Sequence, residues 1–295
     1  MTEQAVHRLE GLSLVQKIRW RNRHPIRNAW FYADKLVAKR IAHWRVPDCR
    51  IAQVLLDPAS VDLIDVRQLP PSFLFKARHG SGWQVKVEAG RDVATGQPVS
   101  NEQLRKLARW WSRRVYRNGA ERQYRLISPG AFIEEHLGPI VEYRVFCFAG
   151  TPRMIMVDTP TADGVRSVLY DPHWTRIRGF WKDPEGLDLD RPPILEEIVS
   201  LASLLSQGID FVRIDLMSAR SGLHFGEFTF TPNAGTGRIT PPELDRLAGS
   251  WWNTLTPEIE RPDFVDAVGW TARISAWGRI ASTAPIDWAR ARGLP

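Results

Sequence analysis

Two stretches late in the chain, FVRIDLM at 211–217 and LHFGEFTFT at 223–231, constrain the fold more than any other feature. Both are short and rich in β-branched or aromatic residues, and the polar turn Ser218–Gly222 joins them, which is the pattern of an antiparallel hairpin. Side chains alternate along a strand, so Val212, Ile214 and Leu216 share one face while Arg213 and Asp215 share the other. On the second strand Phe228 and Phe230 oppose Glu227, Thr229 and Thr231. Pairing the strands predicts an apolar side that must be buried and a polar side that gathers Arg213, Asp215, Glu227 and Thr229. Two carboxylates brought together repel unless a cation or a proton lies between them. Mg2+ fits, because it typically takes one or two protein carboxylates and completes its shell with waters and substrate phosphates. A surface ion-pair cluster of Arg213, Asp215 and Glu227 is the competing reading. With the metal reading, removal of either acid is expected to leave folding largely intact, since like-charge repulsion is relieved.

The rest of the chain mixes strands and helices. Helical spacing extends through residues 1–46 with one interruption at His24-Pro25, and Ala29–Trp44 places Trp30, Ala33, Leu36, Val37 and Ile41 on one stripe. Residues 47–70 read as a connection containing the apolar run Ile51–Leu56. Phe73–Phe75 and Gln84–Glu88 read as strands around the turn His79–Gly82, and Ser100 is a plausible N-cap for an amphipathic helix over Asn101–Arg117. Further strands are expected at Ala131–Glu135, Tyr143–Phe148 and Pro152–Asp158, and a helix at Pro193–Gln207 ending at Gly208. Several strand pairs are hairpins, which favours α+β over a purely parallel sheet. Residues 251–295 carry no readable pattern.

Length and charge bound the function classes. With 295 residues the chain can bury a full core without disulfides or structural metals, and its two cysteines, Cys49 and Cys147, can build neither a disulfide framework nor a zinc cluster. They suit a reducing cytoplasm. No apolar segment approaches the ~20 residues of a membrane span, and the N-terminus shows no uninterrupted apolar region of a secretory signal. The formal net charge of +7 suits an acidic substrate, a nucleic acid, or peripheral contact with an anionic membrane surface. Basic residues concentrate at Lys17–Arg27 and Arg105–Arg117, where solvated helix faces are the plain alternative.

Two further clusters hold groups of chemical interest. Lys76 ends an apolar strand and is followed by His79-Gly80-Ser81-Gly82, a cation and a glycine-containing turn whose backbone N–H groups suit a phosphate chain. It matches neither a Walker A loop nor GxGxxG, and an ordinary tight hairpin explains it equally. Phe132–Gly138, with Glu134, Glu135 and His136, precedes Glu142-Tyr143-Arg144. A carboxylate and a backbone N–H there could bond an adenine edge, a signal that matters only through its order relative to the others.

The order is specific: Asp34-Lys35, then FLFKARHGSG, then IEEHL, then RID with GEFTF. This series resembles the ATP-grasp superfamily, and EYRVFCFAGTPRMIMV, SVLYDPHW, GIDFVRIDL and HFGEFTFTPNAG are most similar to its teichuronopeptide-biosynthesis, TupA-like branch, from about Ala33 to Gly249. The resemblance implies an ATP-grasp fold, with a small lid subdomain and a larger C-terminal mixed or antiparallel sheet holding the nucleotide between them. It divides the chain into a short helical N-terminal region at 1–70, the lid at 71–133, the C-terminal subdomain at 134–250 and a tail at 251–295. ATP and Mg2+ are the implied cofactors. Lys35 resembles the first nucleotide-contacting lysine and Lys76 the lid lysine on the α/β phosphates. His79, Gly80, Ser81 and Gly82 resemble the loop that closes over them. Glu134, with Glu135 beside it, resembles the adenine acceptor, Leu137 the residue whose N–H faces the ring, and Glu142 the ribose carboxylate. Asp215 and Glu227 resemble the Mg2+ ligands and Arg213 the cation that steadies the transferred phosphoryl group. Thr229 stands where many such ligases have asparagine as a further Mg2+ ligand, and its hydroxyl can reach the ion directly or through water; the N-terminal part is shorter than the usual domain preceding the grasp.

The implied activity is an ATP-dependent carboxylate–amine ligase acting through an acyl phosphate. Its partners are a small-molecule or glycan carboxylate and an amine co-substrate. The branch suggests an amino acid joined to an acidic sugar in cell-surface polysaccharide assembly. The alternatives are an ATP-grasp phosphotransferase, and an anionic-polymer-binding protein with a dead site. Against the second, and against nucleic acid as partner, Lys76, Arg213, Asp215 and Glu227 are all present together.

Overall fold

The computed structural model describes residues 9–57, 63–113, 121–181 and 183–265. Helices α1 (Leu14–Arg23), α2 (Ala29–Ala33) and α3 (Lys35–Arg45) come first. Next are β1 (Arg50–Ile51), β2 (Val54–Leu56), β3 (Phe73–Ala77), β4 (Gln84–Glu88), β5 (Arg91–Asp92), α4 (Asn101–Ser112) and β6 (Ala131–Glu135). Then follow β7 (Val141–Phe148), β8 (Thr151–Thr161), β9 (Gly164–Tyr170), β10 (Arg176–Ile177) and β11 (Phe180–Trp181). The last are α5 (Leu195–Ser206), β12 (Phe211–Ala219), β13 (Gly222–Thr229), β14 (Ile239–Thr240) and α6 (Pro242–Trp251). The described residues form two compact units, one of 9–52, 121–128 and 137–261, the other of 53–57, 63–113, 129–136 and 262–265.

The larger unit is built on a seven-stranded sheet of order β1-β13-β12-β7-β8-β9-β10. β12 pairs antiparallel with β13 and β7, while β1 adds a parallel edge. Both faces of this sheet are covered. On one, Val212, Ile214 and Leu216 lie under α5, whose Leu195, Ile198, Ala202 and Leu205 form its buried stripe. The opposite face has two halves. Phe211, Phe146, Phe148, Met154 and Met156 pack there with α1, α6 and Trp252, and the Phe211 and Trp252 rings stack at 4.6 Å between centroids. The same stripes then turn polar, with Arg213, Asp215 and Arg144 continuing them. The predicted apolar and polar sides of the hairpin are both present, but the polar side is polar only at its far end.

The smaller unit holds a five-stranded sheet of order β2-β6-β3-β4-β5. Phe73, Phe75 and Ala77 alternate onto the face covered by α4, where Leu104, Ala108 and Trp111 recur at helical spacing and Trp111 stacks on Phe75 at 4.8 Å. Ser100 caps α4 by accepting from Gln103 N, as expected; residues 114–117 of the expected helix lie outside the described residues.

Three sequence readings differ from the structure. The helical stretch from Ala29 to Trp44 breaks at Asp34, which is extended and whose carboxylate accepts from Leu36 N and Val37 N to start α3. The apolar run Ile51–Leu56 is two strands in different sheets, with β1 paired to β13 and β2 to β6. The residues expected to begin a tail include Trp252, which is buried in the core; 266–295 lie outside the described residues.

Candidate active site

On the larger sheet, Asp215 stands directly opposite Glu227 on β13 and Arg144 on β7, and Arg213 opposite Thr229. A bulge makes this register workable. Leu216 pairs with Phe225 although Asp215 pairs with Glu227, so Gly226 is the extra residue. A Cβ at Gly226 would stand 2.9 Å from the Asp215 carbonyl oxygen, so only glycine lets the strands close here. The bulge also keeps Phe225 and Phe228 together on the apolar side, with ring centroids 4.7 Å apart, while Glu227 faces Asp215.

Arg213 grips Asp215 with two bonds, Nε to Oδ1 and Nη2 to Oδ2, each 2.6 Å. Its Nη2 also donates to Thr229 Oγ1 at 3.3 Å and lies 3.8 Å from Glu227 Oε1. Thr229 donates in turn to Glu227 Oε1 at 3.1 Å. The Asp215 side chain is 3% exposed and that of Glu227 38%. Burial pushes the Asp215 carboxyl up to about 7, with Glu227 and Glu142 adding to the rise and Arg213 opposing it. Burial also opposes the charge on Arg213, yet Asp215, Glu227 and Glu142 outweigh it and raise its pKa.

The polar region extends across β7, β8 and β9. Arg144 Nη2 donates to Glu142 at 3.0 Å, Arg144 Nη1 donates to Asp158, and the buried Ser167 hydroxyl donates to Asp158 Oδ1 at 2.6 Å. Arg144, Asp158 and Ser167 had no assigned role from sequence. The signal was present: Glu142 and Arg144 continue the stripe of Phe146 and Phe148, and Asp158 that of Met154 and Met156. Among the described residues two guanidiniums, Arg144 and Arg213, thus face four carboxylates, Glu142, Asp158, Asp215 and Glu227. These hard oxygen donors fit a divalent cation of the Mg2+ type. No group of three or more His, Cys, Asp or Glu placed to hold a metal occurs among the described residues, so an all-protein cage is not what the donors offer. Mg2+ is suited by less, since substrate phosphates complete its shell.

Also in the larger unit, Lys35 opens α3 with its ammonium 5.8 Å from the centroid of the Tyr124 ring. Leu137 is partly buried, and Gly138 after it has φ +82°.

The smaller unit brings Lys76 and Glu134 together on neighbouring strands, Nζ to Oε1 at 2.6 Å, with side chains 20% and 3% exposed. Glu135 faces the other way and accepts from Gln53 N at 2.8 Å, which ties β6 to the start of β2. His79 is fully buried, accepts from Gly130 N at 3.4 Å and meets Trp83 edge-on. Ser81 and Gly82 beyond it are exposed, and Gly80 and Gly82 have φ of +80° and +75°. The turn is therefore anchored at His79 and open at its tip. His136 lies 3.4 Å from Glu88, and burial lowers its pKa.

No curated protein matches the chain. Among solved structures, ATP-grasp ligase PsnB complexed with phosphomimetic variant of minimal precursor, Mg and ADP is 11% identical with a TM-score of 0.40, over 75% of this chain and 59% of that one. N5-carboxyaminoimidazole synthetase from Staphylococcus aureus is 12% identical with a TM-score of 0.43, over 78% and 54%. D-alanine–D-alanine ligase from Bacillus anthracis is 14% identical with a TM-score of 0.42, over 86% and 70%. The chain spans 59%, 53%, 50% and 49% of four PsnB chains it matches, less than two thirds of each. The model of the TupA-like ATP-grasp family matches residues 16–252, which takes in both sheets and every site residue above, and the chain belongs to that family.

Proposed function

We propose that the chain is an ATP- and Mg2+-dependent ligase that joins a carboxylate to an amine through an acyl phosphate. One observation carries the reading: the buried Arg213–Asp215 pair beside Glu227 and Thr229, in a polar region whose carboxylates outnumber its guanidiniums. Family membership supports it. In the first step a substrate carboxylate oxygen attacks the γ-phosphorus of ATP; a P–O bond forms, the bond to the bridging oxygen breaks, and ADP leaves. In the second an amine nitrogen attacks the acyl carbon, a C–N bond forms, phosphate leaves and the nitrogen gives up a proton.

Bound Mg2+ supplies neutralisation of the phosphoryl oxygens as their charge develops. Asp215 and Glu227 are the residues to hold it, with Thr229 orienting Glu227. Arg213 steadies the transferred phosphoryl group. Lys76 takes the α/β phosphates and Lys35 makes a further nucleotide contact. Gly80, Ser81 and Gly82 close over the phosphates with His79 as their anchor. For the adenine, Glu134 and the Leu137 N–H are assigned, with Glu135 holding the strand that carries Glu134. Glu142 is assigned to the ribose.

The substrates we assign are an acidic sugar and an amino acid, as in cell-surface polysaccharide assembly. The net charge of +7 supports an anionic acceptor. Part of the basic character turns inward rather than toward a polymer. Lys17 Nζ donates to Trp252 O at 2.6 Å, and Arg21 pairs with buried Asp210. Cys49 and Cys147 are free and buried, and burial pushes their thiols up to about 11 and about 12, which suits a reducing cytoplasm and argues against a thiolate nucleophile. No helix among the described residues is long and apolar enough to cross a membrane.

The test is a screen of ADP release against uronic acids, amino acids and nucleotide sugars, with hydroxylamine present in parallel to trap an acyl phosphate. A product weighing the sum of two substrates less water, and a hydroxamate in its place when hydroxylamine is added, are expected. A stable phosphorylated product would establish the phosphotransferase alternative instead. No nucleotide turnover with steeply salt-dependent nucleic-acid binding would establish the dead-site alternative.

A further inference from the structure

Arg144 stands directly across from Asp215, where opposite charges on neighbouring strands ordinarily meet. Its guanidinium goes elsewhere, to Glu142 and Asp158, and Arg213 takes Asp215 instead. Asp158 is itself held. Ser167, directly opposite it on β9 and fully buried, donates to Oδ1 at 2.6 Å. The backbone of Ser167 is bonded in both directions to the next segment, donating to Pro184 O at 2.9 Å and accepting from Gly186 N at 3.0 Å. That segment lies tight on the sheet: a Cβ at Gly186 would stand 2.9 Å from Val168 Cγ2.

We propose that Asp158, locked by Ser167, is a positioning residue that draws Arg144 away from Asp215 and so keeps a second guanidinium off the Asp215–Glu227 pair, preserving the charge that attracts a divalent cation. This rests on the reading of that pair as the Mg2+ site. The physical argument is competition between cations. Among the described residues the polar region carries two guanidiniums against four carboxylates, and Asp158 supplies one of the two anchors that hold Arg144 off its cross-strand neighbour. Neutralising Asp158 removes that anchor and leaves Arg144 with Glu142 on its own strand and with Asp215 directly across from it. A guanidinium drawn there offsets the charge that otherwise attracts the metal. Asp158 thus governs metal affinity without being a ligand, and only through Arg144.

The test is Mn2+ binding to the full chain in the presence of ADP, read from the electron paramagnetic resonance signal of free Mn2+. Five proteins are compared: the unaltered chain, Asp158→Asn, Ser167→Ala, Arg144→Gln, and the Asp158→Asn/Arg144→Gln double variant. Asp158→Asn is expected to weaken Mn2+ binding about fivefold or more, and Ser167→Ala to weaken it less in the same direction. The double variant is expected to bind within about twofold of Arg144→Gln alone, because nothing is left to be misdirected. Unchanged affinity in Asp158→Asn, or a loss that persists when Arg144 is absent, would overturn the inference and leave Asp158 a purely structural residue. Should Asp158→Asn fail to fold, Ser167→Ala with and without Arg144→Gln decides by the same criteria. If the unaltered chain binds no Mn2+ with ADP, the metal reading falls and this inference with it.

Discussion

In the smaller sheet one ammonium meets one carboxylate, Lys76 and Glu134, at 2.6 Å and largely out of water. In the larger sheet Arg213 and Arg144 face Glu142, Asp158, Asp215 and Glu227. The first arrangement is balanced, and a phosphate taken by Lys76, as proposed, competes with Glu134 for it. The second sets two guanidiniums against four carboxylates among the described residues, and burial, with Glu227 and Glu142 adding to it, raises the Asp215 pKa to about 7 despite a bidentate arginine. On the proposed reading the two clusters take different partners, a phosphate that displaces Glu134 from the lysine in one and a cation in the other.

The largest effects are expected at the two acids of the larger site, Glu227 and Asp215. Glu227→Gln should lower ATP-dependent product formation by about 10²–10³-fold, because phosphoryl charge is no longer neutralised through this carboxylate. Its side chain is 38% exposed and repels Asp215, so the melting temperature should hold without metal. Asp215→Asn should lose turnover equally but should also cost about 3 kcal/mol of stability, since it strips a buried guanidinium of its bidentate partner. The sequence led to an expectation that either acid could be removed without harm to folding; the geometry separates the two. Thermal melts of both variants beside turnover assays decide it, and equal melting temperatures would count against the assigned grip of Arg213 on Asp215.

The balanced site is probed through its lysine. Lys76→Met should weaken MgATP binding by ten- to a hundredfold, the range of about 1.5–3 kcal/mol for a charge-assisted contact. It should also lower the melting temperature, because Glu134, with a side chain 3% exposed, loses its ammonium partner. Adding Glu134→Gln should recover the stability and leave the nucleotide affinity low. Calorimetric titration with MgATP gives the affinity, and recovery of affinity in the double variant would remove Lys76 from the phosphate site.

What was legible in the sequence follows from period. The alternation in FVRIDLM and GEFTF places Arg213, Asp215, Glu227 and Thr229 on one side, as the hairpin register bears out. Lys76 and Glu134 could be placed on strands by the same means, but not paired, because pairing β3 with β6 joins segments more than fifty residues apart and nothing local specifies it. Arg144, Asp158 and Ser167 are only 14 and 9 residues apart on consecutive antiparallel strands, and they escaped because the third strand was not read and so Asp158 had no cross-strand partner. β9 was not read as a strand because VRSVLY follows a turn and carries a polar Ser167 inward. The bulge at Gly226 was invisible because strict alternation assumes no extra residue.

That bulge gives a smaller, sharper test of the larger site. Gly226→Ala puts a Cβ 2.9 Å from the Asp215 carbonyl oxygen, and the backbone there cannot give way cheaply. A loss of about 1–3 kcal/mol in stability is expected from the overpacking. Denaturant melts measure it. The smaller site should be untouched, so amide exchange over β3, Phe73–Ala77, should match that of the unaltered chain under native conditions. A shared loss of protection in that strand would show that the two clusters are not independent.

The smallest effect is expected at Thr229, and it separates charge from geometry within the cation-poor site. The hydroxyl accepts from Arg213 at 3.3 Å and donates to Glu227 at 3.1 Å, so it ties the guanidinium to the more exposed acid without adding charge. Thr229→Val keeps the shape and deletes both bonds, a loss of about 1 kcal/mol and so about fivefold in turnover if Glu227 must be held in place. Thr229→Asn restores a side chain that can accept from Arg213 and donate to Glu227, and should return turnover to within about twofold of the unaltered chain, with the Mg2+ dependence unmoved. The comparison between the two sites rests on net charge, which neither variant alters. A Thr229→Val loss as deep as that of Glu227→Gln would therefore mean that position, not charge balance, governs the larger site.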